Sequence, residues 1–385
     1  MDKVFKIVEK NFIALPPEEV EANNLVLNQI LDTIISGMKK VNPLFETLFI
    51  DKFYGGSYWD GLKVYKPDEY DVHIKCSMSA YTDRLEPSNE PGWVNLKFTR
   101  RRNPNKIPKK RPKPYYGIAG MHVLVNNEDY LDTEKVMLWF HQTLSCALGG
   151  EKKGKKRHCK LSTSHGVFNL SFFRHGPAFT FHASGTAEET PVEMDIDFVP
   201  CFEFPNDQYP SRGFLPNPYP DKGIFVVCKP VKGSNKGSRY WRISFQDQER
   251  ELIKGKENLK PALRLMKKMR DKLKHTCIAS YFIKNLFLCQ IRFQPESFWR
   301  EPLSNVFITM LVYYQNCIAN RSIDFYWYAA DNLISHIKPE DLENVNNDLL
   351  RVISDFQKHP NGRNVVAKHF LTRSELRDFK NIFKD

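Results

Sequence analysis

The chain has 385 residues, 41% of them hydrophobic, and carries a formal net charge of +12. This size and composition exclude a fibrous or intrinsically disordered protein and predict a globular, bilobal chain. The longest apolar runs, such as the one from Ile278 to Leu288, are interrupted well before the roughly 20 residues that a membrane-spanning helix needs. We therefore predict no membrane span.

The eight cysteines are spread singly along the chain, and no C-x-x-C pair occurs. Such spacing is typical of reduced thiols in a cytoplasmic protein and does not predict a zinc site, although His158 and Cys159 are neighbours. The first 15 residues lack the continuous apolar region of a signal peptide, so we expect an unprocessed N-terminus. A pI of about 9.1 is compatible with a polyanionic partner, and equally with a merely soluble surface.

The first predicted element is a long amphipathic helix. Pro16 and Pro17 precede two glutamates, a pattern that favours a helix N-terminus because acidic side chains complement its positive end. Apolar residues then recur at three- and four-residue spacing, so the helix is predicted to run to about Lys40. A second helix is predicted from about Thr133 to Ala147.

A predicted turn and strand follow the first helix. Gly55, Gly56 and Ser57 form the turn, and the residues from Tyr70 to Cys76 alternate as a strand. This alternation puts three polar side chains on one strand face: Glu69, Asp71 and His73. Two further strands are predicted from Pro177 to Ser184 and from Val192 to Phe204. The second of these also carries three acids on one face: Glu193, Asp195 and Asp197.

Two segments of the chain are strongly basic. The first, from Arg100 to Lys113, holds eight basic residues, several prolines and no acid, so it is predicted to be a mobile cationic loop. The second, from Lys152 to Arg157, is predicted to be another basic loop. A solvated surface is the ordinary explanation of such runs, and a polyanion-binding surface is the functional one.

The pattern becomes helical in the last part of the chain. Helices are predicted from Asn258 to Lys274, from Ala279 to Gln290 and from Pro302 to Ile318, with further helices to the C-terminus. We therefore predict an α+β protein with two lobes. The first is a mixed α/β lobe with the long N-terminal helix over residues 1–212, and the second is a mainly helical lobe over residues 213–385.

The acidic strand faces are the first chemical signal. Nucleotidyl transfer uses two divalent cations about 3.5–4 Å apart, and Mg²⁺ or Mn²⁺ binds carboxylate oxygens. Glu69 and Asp71 supply two carboxylates on one strand face, and an acid near residue 197 would complete the set. The turn at Gly56 and Ser57 can present backbone N–H groups and a hydroxyl to phosphate oxygens. Taken alone, an acid-x-acid strand is more often a solvated edge, and Gly-Gly-Ser is usually only a turn.

Six motifs occur in order along about residues 17 to 290. They are GGSY at 55–58, KPDEYDV at 66–72, DFVPCFE at 197–203, YWRISF at 240–245, LRLMKK at 263–268 and SYFIK at 280–284. In kind and order they resemble the motifs of cGAS, the cGAS-like receptors and the Mab-twenty-one proteins. The resemblance implies a bilobal nucleotidyltransferase fold whose long N-terminal helix is the spine of the catalytic lobe.

The resemblance also implies a catalytic centre with two Mg²⁺ or Mn²⁺ ions. By it, the catalytic and metal-binding triad consists of three acids: Glu69, Asp71 and Asp197. Asp195 shares a strand face with Asp197 and is the competitor for the third position. Asp197 is preferred because the DFVPCFE motif begins there. Gly56 and Ser57 would hold the triphosphate of the donor nucleotide.

The nucleotide lid of the family maps onto the later motifs. Lys267 and Ser280 match phosphate contacts, and Tyr281 matches a residue that stacks on a base. The other matched nucleotide contacts are Lys229, Arg242, Ser244 and Glu249. Each of these residues has an ordinary structural reading when it is taken alone, as a buried or solvated side chain.

One departure from vertebrate cGAS concerns zinc. There, a cysteine-histidine zinc loop that grips DNA lies before the Leu-Met-Lys helix, but here the interval from Lys254 to Pro261 contains neither cysteine nor histidine. The chain therefore resembles the zinc-less cGAS-like receptors, in which double-stranded RNA is a known class of ligand. We expect no zinc, and a long duplex with RNA favoured over DNA.

The duplex is predicted to bind a basic surface made by the first helix, the two basic segments and one stripe of a later helix. The stripe contains Arg264 and Lys268 at four-residue spacing. The full predicted set is Lys39, Lys40, Arg100, Arg101, Arg102, Lys109, Lys110, Arg111, Lys152, Lys153, Lys155, Lys156, Arg157, Arg264 and Lys268.

The resemblance implies a cytoplasmic enzyme of innate immunity and antiviral defence. It would use ATP and GTP to make a cyclic dinucleotide of the cyclic GMP-AMP type, which acts on a STING-type receptor; dimerisation on the activator stays open. Two alternatives remain. The chain could be a catalytically silent binding protein of the Mab-twenty-one type, or a template-free polymerase of the oligoadenylate synthase type that makes linear products.

Overall fold

A computed structural model describes residues 1–77, 82–90, 92–98, 118–187, 190–210, 213–229, 231 and 238–382. The fold is α+β, as predicted, and it has two compact units. The sheet unit consists of Pro16–Asp60 and Pro67–Gln248, and the helical unit consists of Met1–Leu15, Gly61–Lys66 and Glu249–Asp385. The two lobes predicted as residues 1–212 and 213–385 stay a prediction. In the structure the sheet unit ends at Gln248, and all residues from Glu249 on belong to the helical unit.

The long predicted helix is α2, which runs over Pro17–Val41. Pro17 stands in its first turn beside two glutamates, and Lys39 and Lys40 stand in its last turn, where they complement the helix dipole. Asp132 caps the second predicted helix by accepting hydrogen bonds from two backbone N–H groups. The helices of the sheet unit are α2, α3 (Pro43–Leu48), α4 (Gly56–Trp59) and α5 (Thr133–Leu148), and α6 (Gln246–Ile253) begins there.

The strands of the sheet unit form one sheet. They are β1 (Phe49–Gly55), β2 (Glu69–Ser77), β3 (Thr82–Pro87), β4 (Trp93–Phe98), β5 (Glu151–Lys153), β6 (Lys156–Thr163), β7 (Gly166–His175), β8 (Ala178–Ala187), β9 (Thr190–Phe204), β10 (Ile224–Val227) and β11 (Tyr240–Ser244). Along the sheet the order is β3, β4, β11, β10, β9, β8, β7, β6 and β5. In addition, β1 pairs with β2, and β2 runs parallel to β9. The strand β9 therefore has β2 along one edge, while β8 and β10 share the other.

Alternation along β9 separates the two faces of the sheet. From Val192 to Phe204 the even-numbered residues are buried, and on their face the ring centroids of Phe198 and Phe140 of α5 lie 6.3 Å apart. Odd-numbered residues point to the opposite face. There Asp195 and Asp197 precede a small apolar cluster that includes Val199. The acids thus lie on the face that the α5 layer leaves uncovered.

The helical unit includes a helix that the sequence did not predict. This helix, α1 (Asp2–Phe12), buries Phe5 against three other phenylalanine rings, those of Phe307, Phe356 and Phe370. Charged residues are scattered among the apolar ones in α1, so the sequence pattern did not indicate a helix. The helix is stable because its short apolar face packs on the rest of the unit. The other elements of the unit are α7 (Leu259–Lys272), α8 (Ser280–Ile291), α9 (Leu303–Ala319), α10 (Pro339–Lys358), α11 (Arg363–Ala367), α12 (Arg373–Ile382) and the hairpin of β12 (Asp324–Phe325) and β13 (Tyr328–Asn332).

Two predictions about loops are corrected by the structure. The basic run from Lys152 to Arg157 is not a loop, because β5 and β6 pair there as an antiparallel hairpin. The Gly55–Gly56–Ser57 segment is a strand-to-helix junction, since Gly55 ends β1 and Gly56 begins α4. The predicted cationic loop from Arg100 to Lys113 lies outside the described residues. Of the helices that are described, none is both long and apolar enough to traverse a bilayer.

Candidate active site

One row across the sheet brings four residues side by side. Gly55 of β1 lies opposite Asp71 of β2, and Asp71 lies opposite Asp197 of β9. Asp197 lies opposite Thr180 of β8, whose hydroxyl donates a 2.6 Å hydrogen bond to Asp197 Oδ1. We call these four residues the acidic row. Two of the three predicted triad acids are therefore direct neighbours on a parallel strand pair.

A second row lies two residues away and separates the roles of the two β9 acids. Glu69 of β2 lies opposite Asp195, and Asp195 lies opposite His182 of β8. Asp195 Oδ1 is 2.9 Å from His182 Nδ1, and the Asp195 side chain is 55% exposed. Asp195 therefore has an imidazole partner near solvent, whereas Asp197 is more buried and adjacent to Asp71. The register favours Asp197 as the third acid, and its metal-binding role stays a prediction.

The electrostatics of Asp197 reflect its crowded position. Burial raises the pKa of its carboxyl above the usual 3.8, and the neighbouring carboxylates of Glu69 and Asp195 raise it further. The Thr180 hydrogen bond opposes this shift by stabilising the ionised form, and His175 does so more weakly. Holding several carboxylates together thus costs free energy, which a cation between them would offset.

The donor set fits hard divalent cations. Glu69, Asp71 and Asp197 offer oxygen ligands on adjacent strands of one sheet, and Mg²⁺ and Mn²⁺ prefer such oxygens. The parallel register is the observation that supports the fit, because it sets Asp71 directly beside Asp197. A bound cation would favour the ionised form of both carboxyls. Through the described ranges, no group of three acidic, histidine or cysteine side chains is close enough to enclose an ion as they stand.

The junction beside the acidic row requires glycine. Gly56 has a φ of +76°, and a Cβ built there would lie 1.7 Å from Asp71 Oδ2. The backbone N–H of Gly56 donates a 3.1 Å hydrogen bond to Oε1 of Gln246, the first residue of α6. Gly55 also lies close to the side chain of Gln246, since a Cβ built at Gly55 would be 1.8 Å from Gln246 Oε1. Gln246 was not predicted from the sequence. Ser57, the second residue of α4, is half-buried.

The predicted acceptor-base residues lie on β11 and next to it. Arg242 is 8% exposed, and its guanidinium lies 4.4 Å from the ring centroid of Trp93 on β4. The indole N–H of Trp93 in turn donates to the carbonyl of Lys229, whose side chain is exposed. Ser244 lies opposite Phe225 and is half-buried. The structure thus joins Arg242 and Lys229 through Trp93, which the sequence did not single out.

The predicted lid residues belong to the helical unit. Lys267 is 6% exposed and donates a 2.7 Å hydrogen bond to the carbonyl of Leu62. The hydroxyl of Ser280 accepts a 2.8 Å hydrogen bond from Arg270. Tyr281 is 37% exposed, and its hydroxyl donates to a carboxylate oxygen of the buried Glu249 at 2.7 Å. Each of these residues thus has its own partner within the helical unit, and their nucleotide contacts stay predictions.

Two domain families of known proteins match successive parts of this chain. The Mab-21 (Mab-twenty-one) protein nucleotidyltransferase domain matches residues 58–255, which include the acidic strands β2 and β9 and begin directly after the glycine junction. The chain belongs to the Mab-21 nucleotidyltransferase family. The Mab-21 protein HhH/H2TH-like domain matches residues 258–351, most of the helices that follow. The family membership implied by the sequence motifs is confirmed.

Several relatives match this Mab-21 chain over nearly its whole length. A cyclic GMP-AMP synthase-like receptor of Tribolium castaneum is 38% identical over 97% of this chain and 93% of the relative. A protein with the same name from Aethina tumida is 35% identical over 99% of this chain and 94% of the relative. Another from Trichogramma pretiosum is 28% identical over 99% of this chain and 78% of the relative.

The structure corrects one of the predicted nucleic-acid contacts of this Mab-21 chain and pairs a second one with an acid. Lys268 is only 1% exposed, and its ammonium lies 2.5 Å from a carboxylate oxygen of Glu375. Arg264 forms an ion pair with Glu9 and donates to the carbonyl of Gly61. Helix α7 is packed on several sides, so these cations are neutralised inside the unit. The prediction that Lys268 contacts nucleic acid is wrong, whereas Arg264 is half-buried and its contact stays a prediction.

Other predicted cations remain accessible. Lys152, Lys153, Lys155 and Lys156 are exposed on the β5–β6 hairpin, and Lys40 is exposed at the end of α2. Arg157 donates to the carbonyls of Gly149 and Gly150, and the ammonium of Lys39 lies 4.2 Å from the ring centroid of Phe49. Arg100, Arg101, Arg102, Lys109, Lys110 and Arg111 lie outside the described residues. Nucleic-acid binding by these exposed or undescribed side chains stays a prediction.

Substitution of Gly56 should separate backbone strain from crowding. Gly56→Ala places a methyl group both at a positive φ and on the Asp71 carboxylate, whereas Gly154→Ala meets only the positive φ, with nothing within 4 Å. We expect losses of unfolding free energy of about 1 kcal/mol for Gly154→Ala and about 3 kcal/mol for Gly56→Ala. Chemical denaturation would measure both, and equal losses would contradict the close approach of Asp71.

Removal of the Thr180 hydroxyl should change the titration of Asp197. Thr180→Val keeps the side-chain shape but removes the hydrogen bond that favours the carboxylate, so the pKa of Asp197 should rise further. Because the folded pKa already exceeds the usual 3.8, the destabilising effect of this carboxylate is present at neutral pH. It disappears as the pH falls through the folded pKa towards 3.8.

The Asp197 titration is measured by carboxyl carbon NMR, and stability by denaturation at several pH values. Thr180→Val should therefore lose more stability at neutral pH than at acidic pH. Thr186→Val on the same strand is the control, because Thr186 is exposed and lies opposite Pro191. A shift of equal size in the control variant would show that the hydroxyl of Thr180 has no special role.

Proposed function

We propose that this protein is a nucleic-acid-activated, metal-dependent nucleotidyltransferase that makes a cyclic dinucleotide of the cyclic GMP-AMP type from ATP and GTP. The acidic row is the observation that carries the proposal, because it places Asp71 and Asp197 side by side next to the glycine junction. Nothing in packing alone requires two carboxylates there. The name shared by the three similar proteins, cyclic GMP-AMP synthase-like receptor, supports the same activity.

Two Mg²⁺ or Mn²⁺ ions held by Glu69, Asp71 and Asp197 would neutralise charge on the triphosphate and lower the barrier to attack by a ribose hydroxyl. The chain's own contribution is the placement of the carboxylates. Parallel pairing fixes Asp71 beside Asp197, and the Thr180 hydroxyl holds one Asp197 oxygen in place. Such preorganisation accounts for much of the catalysis in phosphoryl chemistry, since the donors need not be rearranged during the reaction.

The nucleotides would be held by the residues that match the family lid. Gly56 and Ser57 are the proposed triphosphate contacts at the start of α4, supported by the glycine geometry. Lys267 and Ser280 are the proposed phosphate contacts of the helical unit, and the exposed ring of Tyr281 is suited to stacking on a base. The hydrogen bond between Lys267 and the Leu62 carbonyl must then be exchanged for a phosphate contact.

The acceptor nucleotide would contact Arg242 and Ser244 on β11, with Lys229 nearby. The stack of Arg242 on Trp93 supports this proposal, because it holds the guanidinium in a fixed plane. A planar, always-charged group of this kind can recognise a base edge or a phosphate through paired hydrogen bonds. Glu249, the remaining matched contact, is too deeply buried to meet a nucleotide without rearrangement.

The proposed activator is a long double-stranded nucleic acid, with RNA favoured over DNA. The exposed lysines of the β5–β6 hairpin support it, as does Lys40 at the end of α2. An A-form duplex would be held through phosphates and 2′-hydroxyls with little sequence preference. The proposed setting is innate immune signalling in the cytoplasm, where the product would act on a STING-type receptor.

A product assay tests this function. Purified protein is incubated with ATP, GTP and Mg²⁺ or Mn²⁺ across single- and double-stranded RNA and DNA, and products are separated by chromatography. We expect a cyclic dinucleotide only with duplex added, and more with RNA than with DNA. Linear oligonucleotides would instead indicate a polymerase of the oligoadenylate synthase type. No product under any condition would indicate a silent binding protein.

Substitutions of the acids test the assignment of the triad. Glu69→Ala with Asp71→Ala should abolish product while RNA binding in a gel-shift assay stays unchanged. Asp197→Asn should reduce the rate by at least about 100-fold, since it removes a ligand charge at the reacting phosphate, whereas Asp195→Asn should cost less than about tenfold. The reverse order of the two asparagine variants would transfer the third position to Asp195.

A further inference from the structure

We propose that the β12–β13 hairpin positions Tyr281, with Glu249 as the intermediate. The hairpin had no counterpart in the sequence predictions, and no part of the mechanism above uses it. This inference rests on the proposed function, because it concerns the residue that would stack on a nucleotide base. In it Glu249 and Trp327 are positioning residues, which act on the nucleotide only through Tyr281.

The hairpin is fixed to helix α8, which also carries Tyr281. Asn285 is fully buried on α8, and its amide donates to the carbonyl of Asp324 at the start of β12. The side-chain oxygen of Asn285 accepts a 3.0 Å hydrogen bond from the backbone N–H of Tyr326 in the hairpin turn. Asn285 thus uses both ends of its amide on the hairpin backbone. This attachment is one helical turn along α8 from Tyr281.

The hairpin turn places an indole on Glu249. Trp327 is fully buried, and its Nε1–H donates to Glu249 Oε1 at 3.2 Å. The hydroxyl of Tyr281 donates to the same oxygen at 2.7 Å. The ammonium of Lys284 lies 2.8 Å from the other oxygen, as an ion pair rather than a directed hydrogen bond. Glu249 is 1% exposed, so these three side chains surround a carboxylate that water hardly reaches.

The arrangement fixes the orientation of the Tyr281 ring. A buried carboxylate is costly unless its oxygens are satisfied, so Glu249 holds its donors firmly. Tyr281 is anchored by its hydroxyl while it remains 37% exposed. A ring held in this way can stack on a base without losing much side-chain freedom on binding. Loss of the Trp327 donor leaves Glu249 with fewer partners and loosens that anchor.

The test compares two tryptophan variants of the full-length chain. Trp327→Phe removes the indole N–H that reaches Glu249. Trp299→Phe is the matched control, because Trp299 is also fully buried in the helical unit and its Nε1 has no hydrogen-bond partner among the described residues. Dissociation constants for ATP and GTP with Mg²⁺, without activator, are measured by calorimetry, and thermal unfolding is followed in parallel.

We expect Trp327→Phe to raise the nucleotide dissociation constant about five- to tenfold. The ring of Tyr281 stays in place, so only part of the binding free energy of a stacked base should be lost. Trp299→Phe should change it less than about twofold, even if both variants lose similar thermal stability. In the product assay, Trp327→Phe should raise KM more than it lowers kcat. Equal effects of the two variants on binding, or none from Trp327→Phe, would overturn the positioning role.

A double variant supplies the second criterion. Tyr281→Phe keeps the ring but removes the hydroxyl donor, so it should weaken binding to a similar extent as Trp327→Phe. If both act through Glu249, the combined variant should be weakened by clearly less than the product of the two factors. Factors that multiply fully would show independent actions and reject the inference. Wild-type protein that binds nucleotides but forms no product would refute the proposed function alone, and absence of nucleotide binding would refute both.

Discussion

The parallel register between β2 and β9 is the constraint on which the site depends. It aligns Asp71 with Asp197 and Glu69 with Asp195, so that the acids of two strands meet on one face. A slip of one residue would turn Asp197 towards α5 and bring Phe198 to the open face, because side chains alternate along a strand. The aromatic contact between Phe198 and Phe140 opposes that slip. Packing on the buried face of the sheet thus fixes the register that aligns the acids on the opposite face.

The same alternation explains how much the sequence could predict. Acids at every second position of β2 and β9 identified both strands and the face that they share. The periodic apolar pattern of α2, after its prolines and glutamates, identified the long helix. The family motifs then implied which strands are neighbours, which no local pattern contains. Thr180 and Gln246 escaped prediction because their roles arise only from pairing and packing across the chain, and an isolated threonine or glutamine carries no signal.

Charge was the least predictable property of the site. Lysine and arginine on a helix ordinarily predict a solvated face, yet α7 buries Lys267 and Lys268 and satisfies them with a backbone carbonyl and a glutamate. Glu249 is an acid that is likewise buried and satisfied by partners within the helical unit. Long-range partners such as Glu375 and Trp327 decide whether a charged residue is exposed or internal. Hence the number of lysines and arginines in a segment overstates the positive charge that this segment presents to solvent.

The helical unit is assembled from three separated stretches of the chain, and this affects how the protein is made. Helix α1 is synthesised before the other helices of the unit, but its Phe5 packs on Phe307, Phe356 and Phe370. Its apolar face therefore stays exposed to solvent or bound by a chaperone until the segments that carry these three rings have been synthesised. The sheet unit lies within Pro16–Gln248 and can form earlier. Folding of the helical unit is thus coupled to the synthesis of segments about 300 residues away from its first helix.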